Sequence, residues 1–253
     1  MSKKQFLGKT CPYCCVPGSS STADHIVARQ FFLNSQRMNL PKLPACAECN
    51  TEKSKLEHYL GTILPFGGMH QDAHETIETF VPGRLKKNQR LHRELALGIT
   101  ERSAEGSSTI EAMTVPIDSG KLLALYEYIA RGLSAWHWEV LLPPTTHTVS
   151  AGFLTAYGAQ QFAGFFAEAD EQVVRSLGEG VFRYSAIRFA DPEGLALWTM
   201  SFYGAMLADD TEDKKITESY VITAPKTMLA SHDFVRRLTG HNSGSVAIVA
   251  QSP

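Results

Sequence analysis

The sequence predicts an α+β protein: a small cysteine-stapled segment first, helices after it, and a C-terminal α+β module carrying an antiparallel hairpin. Three observations lead to that class. All five cysteines fall between residues 11 and 49, four of them as two Cys-x-x-Cys pairs. Apolar residues recur at helical spacing between Lys121 and Leu142. From Val181 to Ala190 they alternate instead, ahead of the turn Asp191-Pro-Glu-Gly194 and a second apolar run.

Composition bounds the rest. The 253 residues, 43% of them hydrophobic, suffice for one large domain or two small ones. Nothing approaches an 18-residue apolar run, and Met-Ser-Lys-Lys-Gln-Phe at the start lacks the apolar stretch of a signal peptide. A cytoplasmic chain with no membrane partner is therefore expected, and clustered thiols suit a reducing compartment. The net charge of −2 hides an asymmetry, with 13 Lys/Arg against 7 Asp/Glu in residues 1–93 and 11 against 19 in residues 94–253. The basic first part is where a polyanion would sit.

Taken in order, Cys11, Cys14, Cys46 and Cys49 make two knuckles with 31 residues between them, the arrangement of a closed structural zinc site. A segment this short and poor in large apolar residues needs the metal as its core, and structural zinc supplies about 10–16 kcal/mol in small metallo-peptides. Cys15 is the odd thiol and an alternative to Cys14, although the x-x spacing favours Cys14.

Between and after the knuckles stand Asp24-His25-Ile26, Asn39-Leu40, Asn50 and Lys53. With the two cysteine pairs, this ordered series resembles the HNH endonucleases, whose common form runs Cys-x-x-Cys, Asp-His-Ile, Asn-Leu, then Cys-x-x-Cys-His/Asn with a nearby Lys. The resemblance covers about residues 8–60. It implies a ββα-metal fold and hydrolysis of DNA phosphodiesters to 5′-phosphate and 3′-hydroxyl ends. By the same resemblance His25 is the general base, and Asp24 and Asn50 hold a catalytic Mg²⁺ or Mn²⁺ distinct from the zinc. Asn39 orients the His25 loop through its amide, with Asn34 as a substitute because the loop from Asn39 to Cys46 is somewhat long. Asparagine at position 50, where many members carry histidine, still offers a carbonyl oxygen and shifts preference towards Mg²⁺. Read singly, Asp24 also suits the N-cap of a helix over 26–32, and Asn50 that of a helix Thr51 to Leu60.

That second helix ends near Leu64, Pro65-Phe-Gly-Gly68 reads as a turn, and a polar helix follows through Thr79. His70 and His74 are four apart but lack a metal-motif context, and read as surface. Arg84, Lys86, Lys87, Arg90 and Arg93 lie on an expected helix continuing to Leu97 and, with Lys53 and Lys55, are the candidate DNA contacts. Residues 98–120 read as a polar loop with a short strand Ile110 to Pro116. This marks a boundary between a nuclease domain with a basic helical extension, 1–100, and a module of unassigned role, 101–253. The helix from Lys121 to Leu142 comes next, with His137 packed or on the surface, then a second helix Ala151 to Leu177. The hairpin pairs Val181 to Ala190 with Leu195 to Leu207. Ser219 to Ala224 is a third antiparallel strand, ahead of a short helix near His232 to Leu238 and an apolar Val246 to Ala250.

The sequence thus predicts a metal-dependent DNA endonuclease whose second half dimerises or binds a partner protein, in the restriction, phage-defence or mobile-element settings where such domains occur. The rivals are a catalytically silent zinc-ribbon module that binds nucleic acid or acts as an adaptor, and a nuclease of RNA.

Overall fold

The computed structural model describes residues 3–98, 100–103, 110–154, 156–169, 171–204, 206–207, 215–216, 219–229 and 247–251. Strands β1 (Thr22–His25) and β2 (Lys42–Ala45) pair antiparallel and lead directly into helix α1 (Ala47–Gly67). Helix α1 starts four residues before the expected Thr51, because the Cys46 Sγ caps it by accepting from the Cys49 backbone N–H. Asn50 accordingly sits inside the first turn, its N–H bonded to the Cys46 carbonyl. The helix also runs past Leu64 to Gly67, keeping Pro65 inside its last turn, where Leu64 and Pro65 are both buried.

Helices α2 (Asp72–Lys87) and α3 (Gln89–Gly98) replace the continuous basic helix. Asn88 leaves helical geometry at φ −123° and ψ 77°, and its side chain accepts from the Leu91 N–H, so one residue ends α2 and caps α3. Strands β3 (Thr100–Ser103) and β4 (Ile110–Pro116) pair antiparallel, β4 where the sequence placed a strand and β3 where it placed loop. Helix α4 (Ser119–Trp138) is capped by Asp118 and stops at Glu139, whose φ of +55° takes it out of the helix.

The largest correction falls on Ala151 to Leu177, which is strand β5 (His147–Phe153), helix α5 (Ala156–Ala167) and strand β6 (Gln172–Leu177). Val173 and Val174 favour a pleated partner, and β7 (Phe182–Arg188) supplies one along the whole of β6. The hairpin itself forms, β7 with β8 (Ala196–Phe202). It ends at Phe202 because Tyr203 and Gly204 take φ of +52° and +78°. Strands β9 (Met206–Leu207) and β10 (Lys215–Ile216) pair separately. Strand β11 (Ser219–Pro225) joins β8 on one side and β5 on the other, giving an antiparallel order β5-β11-β8-β7-β6. A short helix α6 (Lys226–Leu229) follows, and β12 (Ala247–Gln251) adds to β4. The helix expected near His232 to Leu238 lies outside the described residues.

Every residue of β8 is buried, since both faces of the sheet are covered. Trp198, Met200 and Phe202 point to α4, while Leu197 meets Phe162 of α5. One apolar cluster then runs from Ile26, Phe31 and Phe32 through Leu60 and Ile63 of α1 and Leu125 and Ile129 of α4 to the sheet. The expected boundary near residue 100 does not coincide with a break in this core. Tyr203 ties the parts together, its hydroxyl donating to the Phe31 carbonyl at 2.6 Å and its carbonyl accepting from the His70 N–H.

Gly178 shows how closely they meet. It has φ +58°, and a Cβ there would lie 2.1 Å from Phe32 Cδ1. Gly178→Ala is expected to cost at least about 2 kcal/mol, from overpacking and the left-handed backbone together, read as a shift of the denaturant midpoint. A variant as stable as the parent would mean that Phe32 swings aside freely.

Candidate functional site

The two knuckles are built differently. The first is a tight turn in which Cys15 N–H donates to the Cys11 carbonyl at 2.7 Å. The second is the entry into α1, where Cys46 is cap and Cys49 lies one turn in. Together they bring the sulfurs of Cys11, Cys14, Cys46 and Cys49 within 4.8 Å of one another. A tetrahedral zinc with bonds near 2.3 Å separates its sulfurs by about 3.8 Å, so the set fits that ion. Burial, then neighbouring sulfurs, push the Cys11 and Cys49 thiols up. Cys15 stands outside the group, its Sγ directed to the Pro12 carbonyl. Tyr128 of α4 packs edge-on against Tyr13, 5.4 Å between centroids, so the knuckles rest on the main core.

Strand β1 delivers Asp24 and His25 to the same corner. Asp24 is 8% exposed, and its Oδ2 accepts from the Tyr13 hydroxyl at 2.6 Å and pairs with Lys53 Nζ at 3.0 Å. Lys53 is fully buried, also donates to the His25 carbonyl at 2.8 Å, and is bound by Glu57 one turn along α1. Burial pushes the Glu57 carboxyl up to about 7 against the pull of Lys53, with the Asp24 charge adding to the rise. The Tyr13 phenol is raised well above its ordinary value by burial and then by the Asp24 charge, so it stays a donor. His25 is half-buried, and desolvation, then Lys42, bring its imidazole down to about 4. It is neutral near pH 7.

The remaining expected site residues spread out. Asn39 is exposed at φ +60° and makes no hydrogen bond among the described residues; the His25 loop is held instead by Ile26 N–H to the Pro41 carbonyl and by Lys53. Asn34 is exposed as well. Asn50 lines a groove of about 580 Å³ with Ser54, Lys55 and His58 of α1 and Lys87 and Asn88 at the α2–α3 break. The helical angle explains the placement: Lys53, Glu57, Leu60 and Leu64 form the buried stripe, and Asn50, Ser54 and His58 lie beside it.

Two expected DNA contacts are corrected. Lys53 is internal, and Arg84 donates to the carbonyls of Gly61 and Gln30 over the Phe80 ring, clamping α2 to α1. Lys55 and Lys87 share the groove, and Lys86 is exposed. Arg90 pairs with Glu94, and Arg93 is exposed on the next turn of α3. His70 and His74 do not converge, the first bonding to the Asp72 N–H and the second facing Glu78. His137 packs on the Tyr184 hydroxyl.

Tyr13, Glu57 and His58 were not singled out by the sequence. Glu57 had a signal, since charge at 53 and 57 falls in register with Leu60 and Leu64 on one helical stripe. No helix among the described residues is long and apolar enough to cross a membrane. No protein-family model, curated protein or solved structure significantly matches the chain.

Proposed function

We propose that the chain is a metal-dependent endonuclease of the HNH type that hydrolyses DNA phosphodiester bonds, its four cysteines holding a structural zinc. The observation that carries this reading is the Asp24-His25 pair on β1, locked to the helix that presents Asn50, with a groove bearing Lys55 and Lys87 opening beside Asn50. The His25 imidazole is neutral near pH 7 and so has a free nitrogen for the proton of the attacking water, although burial, by lowering its pKa to about 4, makes it a weaker base than an ordinary histidine. The contacts of Asp24 to Tyr13 and Lys53 run through Oδ2; Oδ1, with the amide oxygen of Asn50, would make the sparse oxygen set that suits a water-rich Mg²⁺ or Mn²⁺. Such an ion supplies charge stabilisation to the phosphoryl oxygens and the leaving 3′ oxygen. One such site cuts one strand, so double-strand cleavage calls for a second copy, a partner held by the C-terminal half, or two successive events.

Purified zinc-loaded protein is expected to nick or linearise supercoiled plasmid with Mg²⁺ or Mn²⁺ and not with EDTA; a folded protein inert in both metals rules this function out. One observation favours the silent binding module as a second reading: Asp24 already has an ammonium partner in Lys53. That reading predicts DNA retention without cutting, and an RNA substrate in place of DNA is distinguished in the same assay.

The groove makes its own prediction. The Lys55–Glu52 pair is exposed and weak, so Lys55 remains available to phosphate. Lys55→Glu with Lys87→Glu should weaken DNA binding evenly across sequences and lower the salt slope of log K by about 2. An unchanged slope would place the duplex elsewhere.

A further inference from the structure

The buried ammonium of Lys53 has three oxygen partners on three parts of the chain: Asp24 Oδ2 on β1, the His25 carbonyl, and Glu57 on α1. A fully buried lysine is costly unless it is paired and hydrogen-bonded, and here the ammonium donates to the His25 carbonyl and Glu57 and forms an ion pair with Asp24. Tyr13, from the first zinc knuckle, bonds the same Oδ2. Knuckle, strand and helix therefore meet on one carboxylate oxygen. Asn50 and Lys53 are three residues apart on α1, about 4.5 Å of helix rise and neighbours on its surface.

We infer that Lys53 is a positioning residue: it sets Asp24 and the His25 backbone at a fixed distance from Asn50 and commits Asp24 Oδ2, so that Oδ1 is the oxygen left for a divalent cation. The inference rests on the nuclease reading for the roles of Asp24 and Asn50. It reverses the expectation that Lys53 touches DNA, and it gives Glu57 a purpose, that of holding the ammonium from the far side. Because Lys53 touches neither solvent nor substrate, its loss acts on cation affinity and turnover and leaves DNA binding alone.

The test uses full-length zinc-loaded protein and Mn²⁺ alone as the probe, followed by electron paramagnetic resonance, with plasmid cleavage measured in parallel. Lys53→Met by itself strands two carboxylates and is prone to misfold. The informative variant is therefore Lys53→Met with Glu57→Leu, which removes the pair together; Lys53→Arg is the conservative rescue, and Asp24→Ala marks a destroyed site. Zinc content and thermal melting certify folding. The double variant should bind Mn²⁺ about 10–100-fold more weakly, the range for groups that orient a ligand, with kcat reduced and the KM for DNA unchanged. Lys53→Arg should recover most of the Mn²⁺ affinity. A folded double variant with parental Mn²⁺ affinity overturns the positioning role, as does a change confined to KM. Wild-type protein that binds Mn²⁺ but never cuts refutes the nuclease reading while the affinity shift still decides the role of Lys53. Wild-type protein that binds no Mn²⁺ overturns the role, whatever its cleavage.

Discussion

Cys46→Ser is expected to lose the metal and melt about 10 °C or more below the parent, for a loss of several kcal/mol in a chain of this size. The substitution separates two jobs of one residue. Cys46 caps α1 through Sγ and belongs to the four-sulfur group. Serine is among the preferred N-caps, so the helix start is kept while the zinc ligand is lost. What fails is then the metal centre alone, which in small metallo-domains carries about 10–16 kcal/mol. The loss should not stay local, because Ile26, Phe31 and Phe32, held between the knuckles, belong to the same cluster as Trp198 and Phe202. Metal analysis and near-ultraviolet circular dichroism, to which Trp198 of the sheet contributes, read both parts. Cys15→Ser, outside the group, is the control and should keep metal and melting temperature. A Cys46→Ser protein with full zinc and parental melting would refute the four-sulfur assignment.

The cysteine staple and the hairpin were legible in the sequence because each is written locally: ligand spacing in the one, period-two alternation around a turn in the other. Strands β5 and β6 were not. Their residues lie in an Ala- and Phe-rich stretch with the composition of a helix, and only α5 in its middle keeps that form. The flanks become strands because β11 and β7 offer them ladders, an influence from partners 66 to 78 positions away for β5 and from the next segment for β6. Asn88 shows the opposite error. Asparagine is a preferred cap, but the basic run on both sides of it reads as one continuous helix.

At the site, spacing brought out the four-cysteine group but not the direction in which the helix charges face. Lys53 and Lys55 read alike as helix charges. Three ångströms from Asp24, Lys53 is a buried strut, while Lys55 two residues on is exposed beside Glu52. Arg84 is likewise spent on two carbonyls instead of phosphate. A helical projection of α1 separates the inward from the outward lysine, because 53 and 57 share the stripe of Leu60 and Leu64. Nothing comparable marks Tyr13, whose partner Asp24 is 11 residues away across a turn.

His25→Ala should reduce cleavage by about 10²–10⁴-fold, the usual contribution of a positioned general base, with zinc content, melting temperature and DNA affinity unchanged. The selectivity follows from what each part of His25 does. Lys53 uses its carbonyl, which alanine keeps, and the ring makes no hydrogen bond among the described residues. Removing the ring therefore deletes the proton acceptor and leaves the strand and its strut in place. His58→Ala is the matched control, since His58 is the other histidine of this region and lines the groove beside Asn50. Burial, then Arg84 and Lys87, lower its pKa, so it too is neutral near pH 7 and chemically able to accept a proton. Single-turnover cleavage at saturating Mn²⁺ distinguishes the two. Loss in His25→Ala alone assigns the base to β1, whereas full activity there with loss in His58→Ala would move the base to α1 and the reacting phosphate some 12 Å along the groove from Asn50, at about 1.5 Å per helical residue.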